Sequence, residues 1–200
     1  MKSSALISKM RIFTVAIAVL CPAFPSPRCA TELHNAFPSF VIEAEASMFL
    51  TISSPSFSNG GNIPQKFTCD GADVSPQLSW SEPPAGTKTL ALLVDDPDAP
   101  VGNWNHWTMW NVPTTTRSFA EGLRKEAELS DGSRQGQNDF RKTGYNGPCP
   151  PPGKPHRYYF KLYALDTKLD LKPDATKKDV EAAMKGHILA QAESMGRYRR

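Results

Sequence analysis

The stretch Arg157-Tyr-Tyr-Phe-Lys-Leu-Tyr-Ala-Leu165 decides the fold class. Three tyrosines, a phenylalanine and two leucines fill six of its nine positions. Aromatic residues at that density favour a pleated, half-buried strand. Toward the N-terminus, Trp107-Thr-Met-Trp-Asn-Val112 reads as a second strand, stopped by Pro113. Thr89-Leu-Ala-Leu-Leu-Val94 is almost wholly apolar, as suits a central strand buried on both faces. Gln77-Leu-Ser-Trp80 alternates polar and apolar residues, and Phe49–Ile52 and Lys66–Cys69 read as shorter extended pieces. Ser53-Ser-Pro55, Asn59-Gly60-Gly61 and Pro83-Pro84-Ala-Gly86 separate them as turns. With 18 Pro and 13 Gly in 200 residues, the chain is punctuated too often for a helical bundle. Residues 114–156 show no helical period and read as a long surface excursion.

One helix is expected, near the C-terminus. Thr176 and Asp179 stand at capping-box spacing. Val180, Met184, His187/Ile188, Gln191 and Met195 then continue one face for about five turns. Gly186 falls inside this helix, and His187 on its apolar face is expected to be a packed core residue.

Charge is nearly balanced, 23 Lys+Arg against 20 Asp+Glu, so a broad nucleic-acid surface is excluded. Residues 1–46 differ from the rest: Lys2, Lys9 and Arg11 precede the apolar run Ile12–Leu20, followed by Cys21-Pro22-Ala23. This pattern reads as a secretory signal peptide cleaved after Ala23, with the folded domain in residues 47–200. The run falls short of the roughly 20 apolar residues that a membrane-spanning helix needs. Localisation is therefore expected to be secreted or periplasmic, with a cytoplasmic location as the alternative. Removing residues 1–46 leaves a net charge of +2, so any electrostatic function must be local. Cys69 and Cys149 remain in the domain; an oxidising compartment allows them to pair, and a reducing one keeps two free thiols.

Three segments carry polar residues beside strands. Asp95-Asp96-Pro97-Asp98-Ala99-Pro100 follows the central strand, and proline stiffens it. Asn105-His106-Trp107 puts a histidine at the start of the next. Gly144-Tyr-Asn-Gly-Pro-Cys-Pro-Pro-Pro-Gly-Lys-Pro-His156-Arg157-Tyr158 packs five prolines and three glycines into residues 144–155. Two histidines and a fixed acidic turn suit an anion site, a metal site with an open position, or a purely structural network. No His-x-x-x-His pair, Gly-x-Ser-x-Gly elbow, Gly-x-Gly-x-x-Gly or phosphate-cradling Walker loop is present. Cys149 beside His156 is a further nucleophile candidate.

Four motifs in order, Phe67-Thr-Cys-Asp-Gly-Ala-Asp-Val-Ser-Pro-Gln-Leu-Ser-Trp80, Asp96-Pro-Asp-Ala-Pro100, Trp104-Asn-His-Trp107 and Gly147-Pro-Cys-Pro-Pro-Pro-Gly-Lys-Pro-His-Arg-Tyr158, give the chain a resemblance. It resembles the phosphatidylethanolamine-binding protein family, in its bacterial and archaeal Raf-kinase-inhibitor-like branch, over about residues 48–198. The resemblance implies a mainly β (α+β) domain, a compact antiparallel β-sandwich with peripheral helices, including a C-terminal one. It implies a pocket for phosphate-type anions or phospholipid head groups, with Asp96, Asp98, His106, Gly147, Pro148, Pro150, His156 and Tyr158 as ligand-binding residues. The two imidazoles and the Tyr158 hydroxyl would supply hydrogen bonds. No catalytic residue, cofactor or metal follows from it. A protease- or kinase-inhibitory role is the alternative, and hydrolysis a more distant one. The chain departs from the branch at Arg141 and Asn146, where Gly is common; Arg takes a left-handed backbone poorly, so the loop before Gly144 is expected to be reshaped.

Overall fold

A computed structural model describes residues 49–200. The leader and the expected cleavage site lie outside the described residues. Among the described residues, eight strands form two antiparallel sheets. β1 (Ile52–Ser53), β2 (Leu78–Trp80) and β5 (Ser118–Phe119) make a small sheet in the order β1-β2-β5. β3 (Thr89–Asp96), β4 (Trp104–Pro113), β6 (Arg134–Gln135), β7 (His156–Leu165) and β8 (Ile188–Tyr198) make a larger one, ordered β6-β4-β3-β7-β8.

The apolar runs determine how these sheets pack. On β3, Leu90, Leu92 and Val94 point between the sheets, where they meet Trp107, Met109, Phe160 and Leu162 of the large sheet and Leu78, Trp80 and Phe119 of the small one. Ala91 and Leu93 point to the opposite face and pack with Trp110, Leu165, Val180 and Met184 under α1 (Lys177–Met184). Burial on both faces is why this strand carries no alternation. The neighbouring β7 buries Tyr158, Phe160, Leu162 and Ala164 on one face and half-buries Tyr159, Lys161 and Tyr163 on the other, where Tyr163 packs against the cluster under α1.

The end of the chain departs from the helical reading. Thr176 and Asp179 do form a reciprocal capping box, but α1 stops at Met184 after eight residues. Gly186 then adopts φ 84°, a left-handed backbone that glycine takes without steric cost. Residues 188–198 form β8 and pair along nearly the whole of β7. Ala190, Ala192, Ser194 and Gly196 alternate as its inward face, a period-2 pattern of small residues that the larger side chains at helical spacing obscure. Pairing β7 on its open edge satisfies a ladder of backbone groups that a helix would leave exposed. His187 is correspondingly not in the core: it is exposed, with Nδ1 2.8 Å from Asp166 Oδ1. Among the described residues α1 is the one α-helix, and Gln65–Phe67, expected as extended, forms a 3-10 turn.

Candidate anion-binding site

The site begins with an irregularity in the β3–β4 ladder. Val94 pairs with Trp107 and Asp95 with Asn105, so His106 is an extra residue in β4. Such a bulge turns a side chain away from the regular pleat. Asn105 fixes it: its side-chain amide donates to the Val94 and Trp107 carbonyls, both at 3.1 Å, inside a fully buried environment. His106 itself is 2% exposed, and its Nδ1 lies 2.7 Å from the Asn146 carbonyl. A carbonyl can only accept, so Nδ1 carries the proton and neutral His106 keeps a lone pair on Nε2. Burial pushes the His106 pKa below the ordinary imidazole value, against the Asn146 carbonyl and the Asp96 carboxylate, which favour the charged form.

The second imidazole arrives from the next strand. His156 opens β7 beside the end of β3, and its Nδ1 lies 2.8 Å from Asp96 Oδ2. Both side chains are buried, at 11% and 4% exposure. The other Asp96 oxygen accepts the Asp98 backbone N–H, so the acidic turn holds its own carboxylate in place. His156 is thereby fixed in the same tautomer as His106, with Nε2 uncommitted.

These two rings and Asp96 line one cavity of about 260 Å³. Ala99, Pro100 and Val101 of the β3–β4 loop, Pro150 and Pro151 of the proline loop, and Trp104, Phe140 and Cys149 complete its walls. Of the residues expected here, Asp96, His106, Pro150 and His156 line the cavity. Gly147 and Pro148 stand behind the wall. A Cβ on Gly147 would lie 2.1 Å from the Phe67 carbonyl oxygen, so only glycine allows the proline loop to approach Phe67–Cys69 this closely. Pro148 accepts the Cys69 N–H at 3.1 Å, and Cys69 and Cys149 are joined by a disulfide with Cα atoms 5.4 Å apart. Asp98 faces away from the cavity and forms a two-pronged ion pair with Arg157, which holds its carboxyl down at about 2. Tyr158 lies behind His106, with ring centroids 5.2 Å apart. Its hydroxyl is buried beside the Asp96 carboxylate, and burial first, then that carboxylate, pushes its pKa well above the usual phenol value.

Several organising residues escaped the sequence reading. Asn138, 3% exposed, accepts the Phe140 and Lys142 N–H groups on its Oδ1 and donates to the Gly144 carbonyl and to Asn146 Oδ1. It thus folds residues 138–146 into a wall that presents Phe140 edge-on to His106 at 5.2 Å. Asp73 accepts from the Gly147 N–H and the Asn146 side chain, anchoring that wall to the opposite loop. Arg141 does adopt the disfavoured conformation, with φ 59°, so the loop keeps its turn without glycine there. Residues 114–156 run over the surface, anchored to the domain by the buried Ser133, Gln135, Asn138, Tyr145 and Asn146. Among the described residues no three His, Cys, Asp or Glu side chains converge as metal ligands. No helix among them is long and apolar enough to cross a membrane.

Comparison with known proteins points the same way as the geometry. A family model described as phosphatidylethanolamine-binding protein matches residues 53–199. A UPF0098 protein of Methanothermobacter thermautotrophicus is 49% identical over 151 residues, covering 76% of this chain and 99% of the relative. A UPF0098 protein of Aquifex aeolicus is 46% identical over 164 residues, 81% of this chain and 95% of its own length. A crystal structure of a phosphatidylethanolamine-binding protein homolog from Chlamydia trachomatis superposes with a TM-score of 0.71 at 40% identity, over 77% of this chain and 99% of that one. E. coli YbcL, described as a member of the mammalian PEBP family, matches with a TM-score of 0.71 at 35% identity, over 76% and 98% of the two chains.

Proposed function

Because the chain belongs to the phosphatidylethanolamine-binding protein family, we propose that this cavity binds a phosphate-type anion, free or as a phospholipid head group, without turning it over. The observation that carries this reading is the arrangement of the two imidazoles. Each has its Nδ1 committed to a protein acceptor, and each lines the same cavity with Nε2 uncommitted. Protonated at Nε2, the two rings are charged donors aimed at one volume, and each such bond adds about 1.5–3 kcal/mol. The apolar and proline-rich mouth excludes water around these groups and strengthens their electrostatics.

Calorimetric titration with inorganic phosphate and phosphoethanolamine tests the reading, wild type against His156→Ala. Saturable binding that the substitution weakens at least about tenfold is the expected outcome for loss of one charge-assisted bond. Equal binding by both proteins overturns it. The family's name concerns lipid, and the cavity's size suits a head group without its acyl chains. We further propose that the protein works in an oxidising compartment after export; the signal-like leader and the Cys69–Cys149 bond both support this.

A further inference from the structure

A second cavity, of about 550 Å³, adjoins the first and shares His156 with it. Its other lining residues are Asp98, Lys154, Pro155, Arg157 and Arg197. The charges in it do not cancel. Asp98 is spoken for by Arg157, whose Nε and terminal nitrogen reach its two oxygens at 2.8 and 2.6 Å. Lys154 and Arg197 are exposed and have no acidic partner among the described residues. Beyond them, Arg197 and Pro155 also line a neighbouring hollow with Arg199. Arg200 is paired with Asp70 at 3.0 Å and adds no free charge. The two cavities therefore have His156 as a common wall, and the second carries two unneutralised cations.

An ammonium-bearing tail entering this second cavity would meet like charge, whereas an anionic one would be attracted. We infer that the Lys154–Arg197 cavity is a second anion subsite, so that the preferred ligand carries a phosphate and, a few bonds away, another anionic group. Diphosphates and phosphodiester head groups bearing a carboxylate have this chemistry; the zwitterionic phosphoethanolamine does not. The inference rests on the anion reading of the first cavity and adds the class of ligand that fills both.

The test compares inorganic phosphate with inorganic diphosphate by calorimetry at one low ionic strength. Three proteins are used: wild type, Lys154→Gln/Arg197→Gln, and Lys168→Gln/Lys172→Gln, which removes the same charge from exposed positions elsewhere. Wild type and the Lys168/Lys172 variant should bind diphosphate about tenfold or more tighter than phosphate. In the Lys154/Arg197 variant that advantage should fall to near unity, with phosphate affinity held within about twofold. Vesicles of phosphatidylcholine doped with phosphatidylserine or with phosphatidylethanolamine separate the sources. Retention on the phosphatidylserine vesicles, lost in the Lys154/Arg197 variant, marks a lipid-borne ligand, and diphosphate preference without retention marks a soluble one. Equal affinities in wild type, or an advantage that survives the Lys154/Arg197 substitutions, overturns the inference while leaving the first cavity's role intact. Failure of wild type to bind either anion overturns both.

Discussion

His106 and His156 are held by different acceptors, a carbonyl and a carboxylate, yet they end in the same tautomer. Neutral, both offer lone pairs at Nε2, which repel an anion; protonated, they offer donors. At His106, which burial keeps from charging, anion binding is therefore coupled to proton uptake. Burial has already lowered its pKa below the ordinary value of 6.5, so charging the ring on binding carries a cost. Sulfate, a dianion throughout the range, is the clean probe. Its affinity should rise by up to about tenfold for each unit that pH falls from 8 toward 6, the slope expected when one proton is taken up on binding. A flat profile would mean that no ring takes up a proton when sulfate binds, and would contradict donation from His106 Nε2. The same depressed pKa has a stability consequence. The unfolded imidazole binds protons first, so the ligand-free fold loses stability as pH drops below 6.5, and a bound anion offsets that loss. At this scale the sequence showed the two histidines and Asp96, because each sits beside a strand in a stiffened turn. Asn138 and Asp73 were not legible as organisers. Their roles consist of bonds to backbone groups that only the folded loops bring within reach.

Among the elements, the proline loop and the bulge do most to shape the cavity. The disulfide ties the loop to Phe67–Cys69 across 80 residues of sequence. By loop-closure entropy, a link of that span restricts the unfolded chain by about 4–5 kcal/mol. Cys69→Ser/Cys149→Ser should therefore lower stability by about 2–5 kcal/mol in urea unfolding. Because Cys149 is also part of the cavity wall, the variant should bind phosphate more weakly even where fully folded. An unchanged midpoint and affinity would show that backbone contacts such as Cys69 N–H to Pro148 O suffice. The strands β3, β4 and β7 were readable because burial on one or two faces writes itself into apolar spacing. β8 was not, since Val180, Met184, Ile188, Gln191 and Met195 fit a helical period while the residues that face the core are Ala, Ser and Gly. Its state is decided by what β7 needs at its edge, a tertiary fact that outweighs local propensity. The bulge at His106 was equally invisible, being a property of the register between two strands.

Over the whole molecule, near-neutral composition and a local cluster of charge belong together. The cations that matter are few, Lys154 and Arg197 in the second cavity, while the core of the sandwich is apolar. Export is a whole-chain property and has a simple test: intact mass of the native protein should show residues 1–23 removed, and a retained Met1 would contradict it. The central claim, that two imidazoles clamp one phosphate-type anion through Nε2, is tested most directly by histidine side-chain nitrogen NMR during a phosphate titration. The chain has four histidines, and exposed His187, paired with Asp166, serves as an internal control. The Nε2 resonances of His106 and His156 should move together and saturate with one affinity, that of His106 toward the protonated position, while His187 stays still. Saturating phosphate that leaves both Nε2 resonances unmoved would contradict the account.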